Sequence, residues 1–533
     1  MTEPAVSAQV TFRSSRGRWI LLASILGSGL AGIDATVVNV ALPSIGRDFG
    51  VGFDSLQWTI TAYTLTLASL ILLGGALGDS FGRRRIFVLG VIWFAVASLL
   101  CGLAPSAGAL VGARALQGIG GALLTPGSLA MIQASFVPED RARAIGAWSG
   151  LGGVATAIGP FLGGWLIGFA SWRWVFLINA PLAVVVVLVA QRHVPETRDP
   201  AGSHRIDVLG AGLGVLGLGG LTYAIIAAPS HPISSAAVWL TGLVGVVSLV
   251  GFGVAERRQQ HPMMPLTIFS SAQFSAANAV TFLVYGAFGG VFFLLAVQLQ
   301  VVAGFSALAA GTALLPITVV MLLLSARGGQ LAQRIGPRLP MSLGPLICAA
   351  GLLLMLRIGR HARYFTDVVP PVLVLGLGLA LLVAPLTATV LAAIDSEHAG
   401  VASGVNNAVA RAAGLIAVAA LPAVVGLTGE SYTHADIFLH GFRKAILICV
   451  LLLVLAAGLA ASTISNSVLG SSTVGSSAAG PSTLGSSTAG AVVAGEVAAV
   501  AAAAGGPGST DRLHCAVDGP PLSVDVPARR DGA

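Results

Sequence analysis

Charged residues are scarce in this chain. Charged residues make up 9% of its 533 residues, against roughly 25% in an average soluble domain, and lysine occurs only as Lys444. Hydrophobic residues make up 55% of the chain, and the mean hydropathy is +0.89. So few charges cannot cover the water-facing surface of a protein of this size. The composition therefore excludes an ordinary soluble protein and indicates an integral membrane protein.

Residues that usually build chemical sites are also scarce. The four cysteines are scattered, without the spacing of a metal or redox pair, and the nine histidines fall in predicted loops or in the C-terminal tail. We find no nucleophile–base pair, phosphate-binding loop or metal cluster, so we predict no enzyme activity, no metal site and no cofactor. The net charge of +7 is spread over short connections, which argues against a nucleic-acid partner.

Apolar runs of about 20 residues predict fourteen transmembrane helices. They are expected near residues 19–43, 56–77, 86–103, 107–134, 143–169, 172–190, 208–228, 237–255, 274–300, 308–325, 340–356, 369–393, 401–427 and 444–463. Arginines concentrate in alternate connections, and this positive-inside bias places both termini in the cytoplasm. The arginines between Arg357 and Arg363 do not follow this bias, because the predicted topology puts them outside. The sequence leaves open whether that loop is external.

The chain also carries signs of an internal duplication. GALGDSFGRRR at 75–85, after helix 2, has a weaker copy in GQLAQRIGPR at 329–338, after helix 10. If these loops correspond, helices 1–6 and 9–14 are repeated halves, which is a usual plan for alternating access. The resulting segments are a cytoplasmic N-terminus at 1–18, an N-terminal six-helix bundle at 19–190, a cytoplasmic linker at 191–207, inserted helices 7 and 8 at 208–255, a C-terminal six-helix bundle at 274–463 and a low-complexity, flexible cytoplasmic tail at 466–533.

Two charges inside the predicted spans are unusual. Asp34 is the only acid within any of them, and a carboxylate at bilayer depth costs at least about 2.5–3.5 kcal/mol. Such a group can carry a proton, bind a cation, or do both in alternation. Arg114 lies in predicted helix 4, with Gln117 on the same face one turn later. Either Arg114 pairs with Asp34, or it snorkels to the interface from a helix end.

Other polar residues in the spans have two interpretations each. Thr36 and Asn39, close to Asp34, either line a cavity or form hydrogen bonds between helices. Arg411, beside Asn406 and Asn407, either faces the transport pathway or holds neighbouring helices together. With Gln117, these residues form our set of candidate substrate-pathway residues.

Two glycine-containing motifs have mechanical interpretations. In the loop 75–85, Asp79 can cap a helix or favour a helix N-terminus, and the three arginines give it partners. The loop is either an ordinary turn or a latch that forms on one side of the transport cycle and breaks on the other; its gating residues are Gly75, Asp79, Gly82, Arg83, Arg84 and Arg85. In helix 5, Pro160 removes a helical hydrogen bond. Gly153, Gly159, Gly163 and Gly164 flank it and form a packing face.

Together these motifs resemble the major facilitator superfamily, and specifically its fourteen-helix drug:proton antiporter branch. The resemblance is carried by IDATVVNVALP (33–43), GALGDSFGRRR (75–85), RALQGIGGA (114–122), GVATAIGPFLGG (153–164), WRWVFLINAP (172–181) and GVASGVNNAVARAAG (400–414). It implies an all-α integral membrane protein with the major facilitator fold, in which two six-helix bundles are joined by two inserted helices. It also implies that Asp34 and Arg114 carry proton coupling, that the loop 75–85 gates, and that Gly159 and Pro160 bend a helix that keeps the carrier proton-tight.

The function implied by this resemblance is proton-coupled multidrug efflux of lipophilic or cationic small molecules from a bacterial inner membrane. We expect a monomer whose partners are protons, a drug-like substrate and the lipid bilayer. Helices 10 and 13 lack the additional acid that some relatives use for dicationic substrates, which favours monocationic or neutral compounds. Two alternatives stay open: export of an endogenous lipid, siderophore or antibiotic on the same fold, and a membrane sensor that transports nothing.

Overall fold

Fourteen helices in the described part of the chain are long and apolar enough to cross a membrane. The structure is a computed structural model that describes residues 9–198, 207–230, 235–259, 262, 264–394, 399–429, 431 and 434–466. In chain order the helices are α1 (Ser15–Phe49), α2 (Phe53–Phe81), α3 (Arg83–Gly102), α4 (Ala107–Ser135), α5 (Pro138–Phe169), α6 (Trp174–His193), α7 (Val208–Ala227), α8 (Ala236–Arg258), α9 (Ala272–Val302), α10 (Ala307–Ile335), α11 (Arg338–Met355), α12 (Tyr364–Ala392), α13 (Val401–Val425) and α14 (Ala435–Thr463). Each overlaps one predicted run, so the all-α class and the helix count are confirmed. From residue 467 onward, the predicted tail lies outside the described residues.

Several of these helices are not continuous α-helices. α6 consists of Trp174–Leu177 and Asn179–His193. α10 consists of Ala307–Thr312 and Leu315–Ile335, whose first turn contains a proline. Proline lacks the N–H that a helix interior needs, so a helix readily restarts around it. The break in α6 matters for the site below, because Asn179 begins its second part.

The helices pack as two bundles with an additional pair. In the first bundle α2 and α3 pack on α4, and α1 packs on α5; in the second, α10 and α11 pack on α12, and α9 packs on α13 and α14. α7 and α8 pack on each other, and α7 also contacts α2 and α13. This is the expected fold class. The segment boundaries stay a prediction.

The two bundles share a loop geometry, which supports the predicted duplication. Gly82 joins α2 to α3 with a φ of 112°, and Gly336 joins α10 to α11 with a φ of 86°, backbone conformations that favour glycine. Two residues after each glycine, the backbone N–H donates to a side chain that follows the last helix of the same bundle. The acceptor is Glu196 in the first bundle, at 3.1 Å, and Asn466 in the second, at 3.2 Å.

The two bundles contact each other at the face opposite the start of α1, which is the external face in the predicted topology. Near the end of α1, the backbone carbonyl of Val40 accepts a hydrogen bond from Gln300 Nε2 at 2.9 Å. Near the start of α2, Gln57 Nε2 donates to the carbonyl of Val418 in α13 at 2.8 Å. These bonds hold the external ends of the bundles together.

One face of α5 shows where this contact ends. Gly164 lies so close to α10 that an added Cβ would collide with its backbone, and the carbonyl of Pro160 packs as closely on the same helix. Gly153 lies on the same face two turns earlier, and a Cβ there would meet open space, as it would at Gly150 and Gly146. Along α5 the bundles therefore diverge toward the predicted cytoplasmic face.

The arginine loop that the sequence left open, Arg357–Arg363, lies at the face opposite the start of α1. Its Arg360 forms an ion pair with Asp436, at the start of α14, at 2.5 Å. The backbone carbonyl of Ile358 accepts from Gln298 Nε2, near the end of α9, at 2.8 Å. Both partners lie at helix ends on the predicted external face, so the loop shares that face.

Candidate proton-coupling site

Asp34 in α1 is completely buried, with an exposed fraction of 0%. Its Oδ2 accepts a hydrogen bond from Arg114 Nη1 in α4 at 2.5 Å. Its Oδ1 accepts from Gln117 Nε2 at 2.8 Å and from Asn179 Nδ2 in α6 at 3.3 Å. Three helices therefore supply the groups of one site. Arg114 is 1% exposed, so the alternative that it snorkels to the interface is wrong.

The guanidinium of Arg114 is held on several sides. Its Nε donates to the backbone carbonyl of Thr59 in α2 at 3.0 Å, and Nη1 also donates to Gln117 Oε1 at 2.6 Å. The guanidinium carbon lies 4.3 Å from the centre of the Tyr63 ring and 5.7 Å from that of Phe176. Breaking a buried ion pair by removing one partner costs about 3–5 kcal/mol, because the other charge is left uncompensated. Protonation of Asp34 would therefore change the stability of this pair strongly.

Three polar residues of this site were missed in the sequence. Asn179 Nδ2 donates to Ser98 Oγ at 2.9 Å, and Gln117 Nε2 donates to the same atom at 3.2 Å. Tyr63 stacks on Arg114, and its buried hydroxyl has no hydrogen-bond partner in the structure. The sequence did contain a signal for Asn179, because it is a lone amide in an otherwise apolar stretch. We considered that stretch only as part of a family motif.

Thr36 and Asn39 lie on α1 close to Asp34 but differ in their contacts. Thr36 Oγ1 donates to the backbone carbonyl of Thr156 in α5 at 2.8 Å, so of its two interpretations the structure shows a hydrogen bond between helices. Asn39 is half-buried, and no hydrogen bond joins its side chain to another described residue. Asn39 thus stays a candidate pathway residue.

The glycine motif of α5 packs this helix against both bundles. An added Cβ at Gly159 would collide with Thr36, and one at Gly163 would collide with Val37, so these glycines let α5 approach α1 closely. Gly164 faces α10 instead, and Gly153 faces open space. Pro160 lies within one helix that runs from Pro138 to Phe169.

The predicted gating loop is held by its own bundle. Asp79 Oδ1 accepts from Arg83 Nε at 2.8 Å and from Nη2 at 2.7 Å. Arg84 and Arg85 each lie 3.6 Å from a carboxylate oxygen of Glu196, at the start of the linker. The expectation that Asp79 caps a helix is wrong, because α2 continues two residues beyond it and no side chain caps α3.

Glu196, in the predicted gating region, is a further residue that the sequence analysis missed. It accepts the backbone N–H of Arg84, and an added Cβ at Gly82 would lie 2.6 Å from its Oε1. Gly82 is favoured here by its positive φ, which other residues rarely adopt. Gly75 packs on α4 more loosely, with Pro126 3.7 Å from an added Cβ.

The candidate pathway residues of α13 separate into two groups. Asn406 Nδ2 donates to Asn278 Oδ1 at 3.1 Å and to Thr281 Oγ1 at 2.8 Å, which ties α13 to α9 within the second bundle. Asn407 instead accepts from Arg411 Nε at 3.0 Å on the same helix. Asn406 therefore joins two helices of the second bundle, while Asn407 and Arg411 form a separate polar pair.

A second buried carboxylate lies at the predicted cytoplasmic end of α8. This helix runs to Arg258, three residues beyond the predicted end, and therefore includes Glu256, which is 3% exposed. Glu256 accepts from the backbone N–H of Met264 at 3.0 Å and lies beside Asp207. We expected Asp34 to be the only acid within a membrane span. Glu256 at the end of α8 shows that this expectation is wrong. Among the residues that the structure describes, Asp34 remains the acid with no exposed surface at all.

Two bundles of membrane-crossing helices, the first of which encloses a buried ion pair, are typical of a multi-pass membrane transporter. Residues 24–419 match the model of the Major Facilitator Superfamily, and the chain belongs to this family. Membership makes it a carrier of small molecules and not an enzyme.

Its relatives include named resistance proteins. Puromycin resistance protein pur8 of Streptomyces alboniger is 36% identical over 473 residues, which cover 86% of this chain and 93% of the relative. Multidrug resistance protein Stp of Mycobacterium tuberculosis is 36% identical over 390 residues, 73% of this chain and 72% of the relative.

The fold is shared with solved transporters. The structure of a bacterial homologue of the human lysosomal transporter Spinster, in an inward-facing and occupied conformation, matches with a TM-score of 0.60. The match covers 85% of this chain and 98% of the other at 19% identity, so it shows the fold alone.

Proposed function

We propose that this protein is a proton-coupled multidrug efflux antiporter that exports lipophilic or cationic small molecules by alternating access. The protein lies in a bacterial inner membrane with both termini in the cytoplasm and acts as a monomer. The observation that carries the proposal is the fully buried Asp34, which is bound to Arg114 and to two side-chain amides. The names of the relatives above support drug export.

Protonation of Asp34 is the chemical event in this proposal. It removes the negative charge to which Arg114, Gln117 and Asn179 donate, and hydrogen bonds between ionised partners are roughly twice as strong as neutral ones. The attraction that joins α1 to α4 and α6 therefore weakens when a proton binds. A proton can in this way bias the packing of the first bundle between two arrangements.

The contacts between the bundles support alternating access. They are closed at the predicted external face and diverge along α5 toward the cytoplasmic face, which is the arrangement expected of an inward-facing carrier. In this state Asp34 releases its proton inward and substrate enters from the cytoplasm or the inner leaflet. The pairs of Asp79 with Arg83, and of Glu196 with Arg84 and Arg85, would gate the change of state.

Asp34→Asn tests the mechanism, with Asp48→Asn as a matched control on the same helix. Asp48 is exposed at the external end of α1 and pairs with Arg173, so its loss should leave coupling intact. We expect Asp34→Asn to abolish uphill ethidium efflux driven by a pH gradient while the protein stays in the membrane. Uphill efflux that persists in Asp34→Asn would sink the mechanism.

Export of an endogenous antibiotic is the second candidate, and the puromycin resistance protein among the relatives favours it. Export of a lipid or a siderophore belongs to the same alternative. Competition separates these functions from general drug export. A dedicated exporter should show dye efflux inhibited by one compound at low concentration, while a multidrug carrier should respond to many unrelated compounds at similar concentrations.

A further inference from the structure

Arg411 lies near the middle of α13, on the helix face that meets the first bundle. Gly404 and Val418 lie two turns before and after it on that face. An added Cβ at Gly404 would lie 3.1 Å from Leu72 of α2, and the carbonyl of Val418 accepts from Gln57 of α2. Arg411 therefore points toward the boundary between the bundles and not toward lipid.

Arg411 has no acidic partner among the described residues. Its Nε donates to Asn407 on its own helix at 3.0 Å, which leaves the terminal Nη groups of the guanidinium without an acceptor among the described residues. Asp34 cannot serve, because Arg114 and two amides already bind it. An unpaired cation within a transmembrane helix is unfavourable in free energy. The presence of Arg411 therefore indicates a functional role.

We propose that Arg411 binds the carboxylate of a lipophilic acid. A guanidinium matches a carboxylate with two parallel hydrogen bonds. The inference rests on the proposed export function and adds lipophilic acids to its substrates, because a fixed positive charge at this position attracts a carboxylate.

The test is direct binding to the purified full-length protein in nanodiscs. We would measure the dissociation constants of 1-pyrenebutyrate and of a pyrenylbutyl-trimethylammonium salt, which share one ring system and carry opposite charges. The variants are Arg411→Gln and Arg411→Lys. Arg47→Gln is the matched control, since Arg47 also bonds only to its own helix, through Ser44.

We expect the wild-type protein and Arg47→Gln to bind the carboxylate probe at least about tenfold more tightly than the cation. Arg411→Gln should weaken carboxylate binding about tenfold or more, the usual effect of losing a hydrogen bond to a charged group. Arg411→Lys should recover part of that affinity, which also shows that position 411 tolerates substitution.

Equal binding of the two probes, preference for the cation, or no binding of 1-pyrenebutyrate overturns the inference. So does unchanged carboxylate affinity in Arg411→Gln. The proposed function is judged separately, by uphill efflux in Asp34→Asn. A carrier that loses efflux in Asp34→Asn but binds both probes equally keeps the function and rejects the carboxylate subsite.

Discussion

At the scale of single residues, Asp34 owes its stability in the membrane to donors from two other helices. Arg114 and Gln117 reach it from α4, and Asn179 reaches it from α6. An unpaired carboxylate would be strongly disfavoured here, whereas a paired one is tolerated. Each donor therefore stabilises the ionised form of the Asp34 carboxylate.

Asn179 gives the most specific prediction at this scale. Asn179→Ala removes donors to Asp34 and to Ser98, and hydrogen bonds to charged groups contribute about 1.5–3 kcal/mol. We expect proton-driven efflux to fall about tenfold, with the protein still present in the membrane, in a vesicle efflux assay. Gln191→Ala on the same helix is the control, because that exposed side chain makes no hydrogen bond to a described residue, and its efflux should stay within about twofold. Equal losses of efflux in both variants would show that efflux depends on polar side chains in general and not on the hydrogen bond to Asp34.

The sequence predicted the central pair but not its full surroundings. Asp34 and Arg114 are recognisable because charges are rare in apolar runs. Asn179 and Tyr63 are not, since amides and phenols occur in membrane helices for many reasons. Glu256 was missed for a different reason: the predicted end of α8 stopped one residue short of it. Helix ends depend on tertiary contacts that local composition does not record.

At the scale of elements, the pairing of α1 with α5 positions the acid. Gly159 and Gly163 bring the backbone of α5 against Thr36 and Val37, on the helix that carries Asp34. The Thr36 hydrogen bond to the Thr156 carbonyl fixes the register of the two helices. A change of spacing here would move the carboxylate relative to Arg114.

Two glycines of the same motif should therefore respond differently to alanine. Gly159→Ala forces a Cβ into Thr36 and the Ile33 backbone, and such overpacking typically costs about 1–3 kcal/mol. We expect a lower melting temperature in detergent and slower efflux. Gly153→Ala adds a methyl group to open space and should change neither property by much. A Gly153→Ala variant as impaired as Gly159→Ala would contradict the helix packing described here.

The glycine spacing of this motif allowed the sequence to predict a packing face on α5. It could not show that Gly159 and Gly163 face α1 while Gly164 faces α10, because that assignment depends on how the two bundles dock. The latch interpretation of loop 75–85 has a similar limit. Its residues were identified, but their partner Glu196 lies more than 100 positions later.

At the scale of the whole molecule, the described residues form a carrier closed at one face. The external closure is built from hydrogen bonds between bundles and from the contact of α5 with α10. The membrane potential then supplies roughly 2.3 kcal/mol per 100 mV for each charge moved across the bilayer. Even one coupled proton per cycle therefore supports useful accumulation.

Truncation separates transport from a sensing role. The deletion should begin at residue 467, because Asn466 accepts the backbone N–H of Arg338 and belongs to the second bundle. We expect the protein without 467–533 to keep its efflux rate. Truncation from 465 onward should lower thermal stability, since it also removes this contact and that of Ser465 with Gln273. Loss of all phenotype in the 467–533 deletion, with the protein intact in the membrane, would favour a sensor.

The central claim is that the Asp34–Arg114 pair is the proton site of an exporter. The most direct measurement is proton release when ethidium is added to the purified carrier in weakly buffered detergent solution. The account predicts that wild-type protein releases protons as ethidium binds and that Asp34→Asn binds ethidium without releasing any. Undiminished release from Asp34→Asn would contradict it.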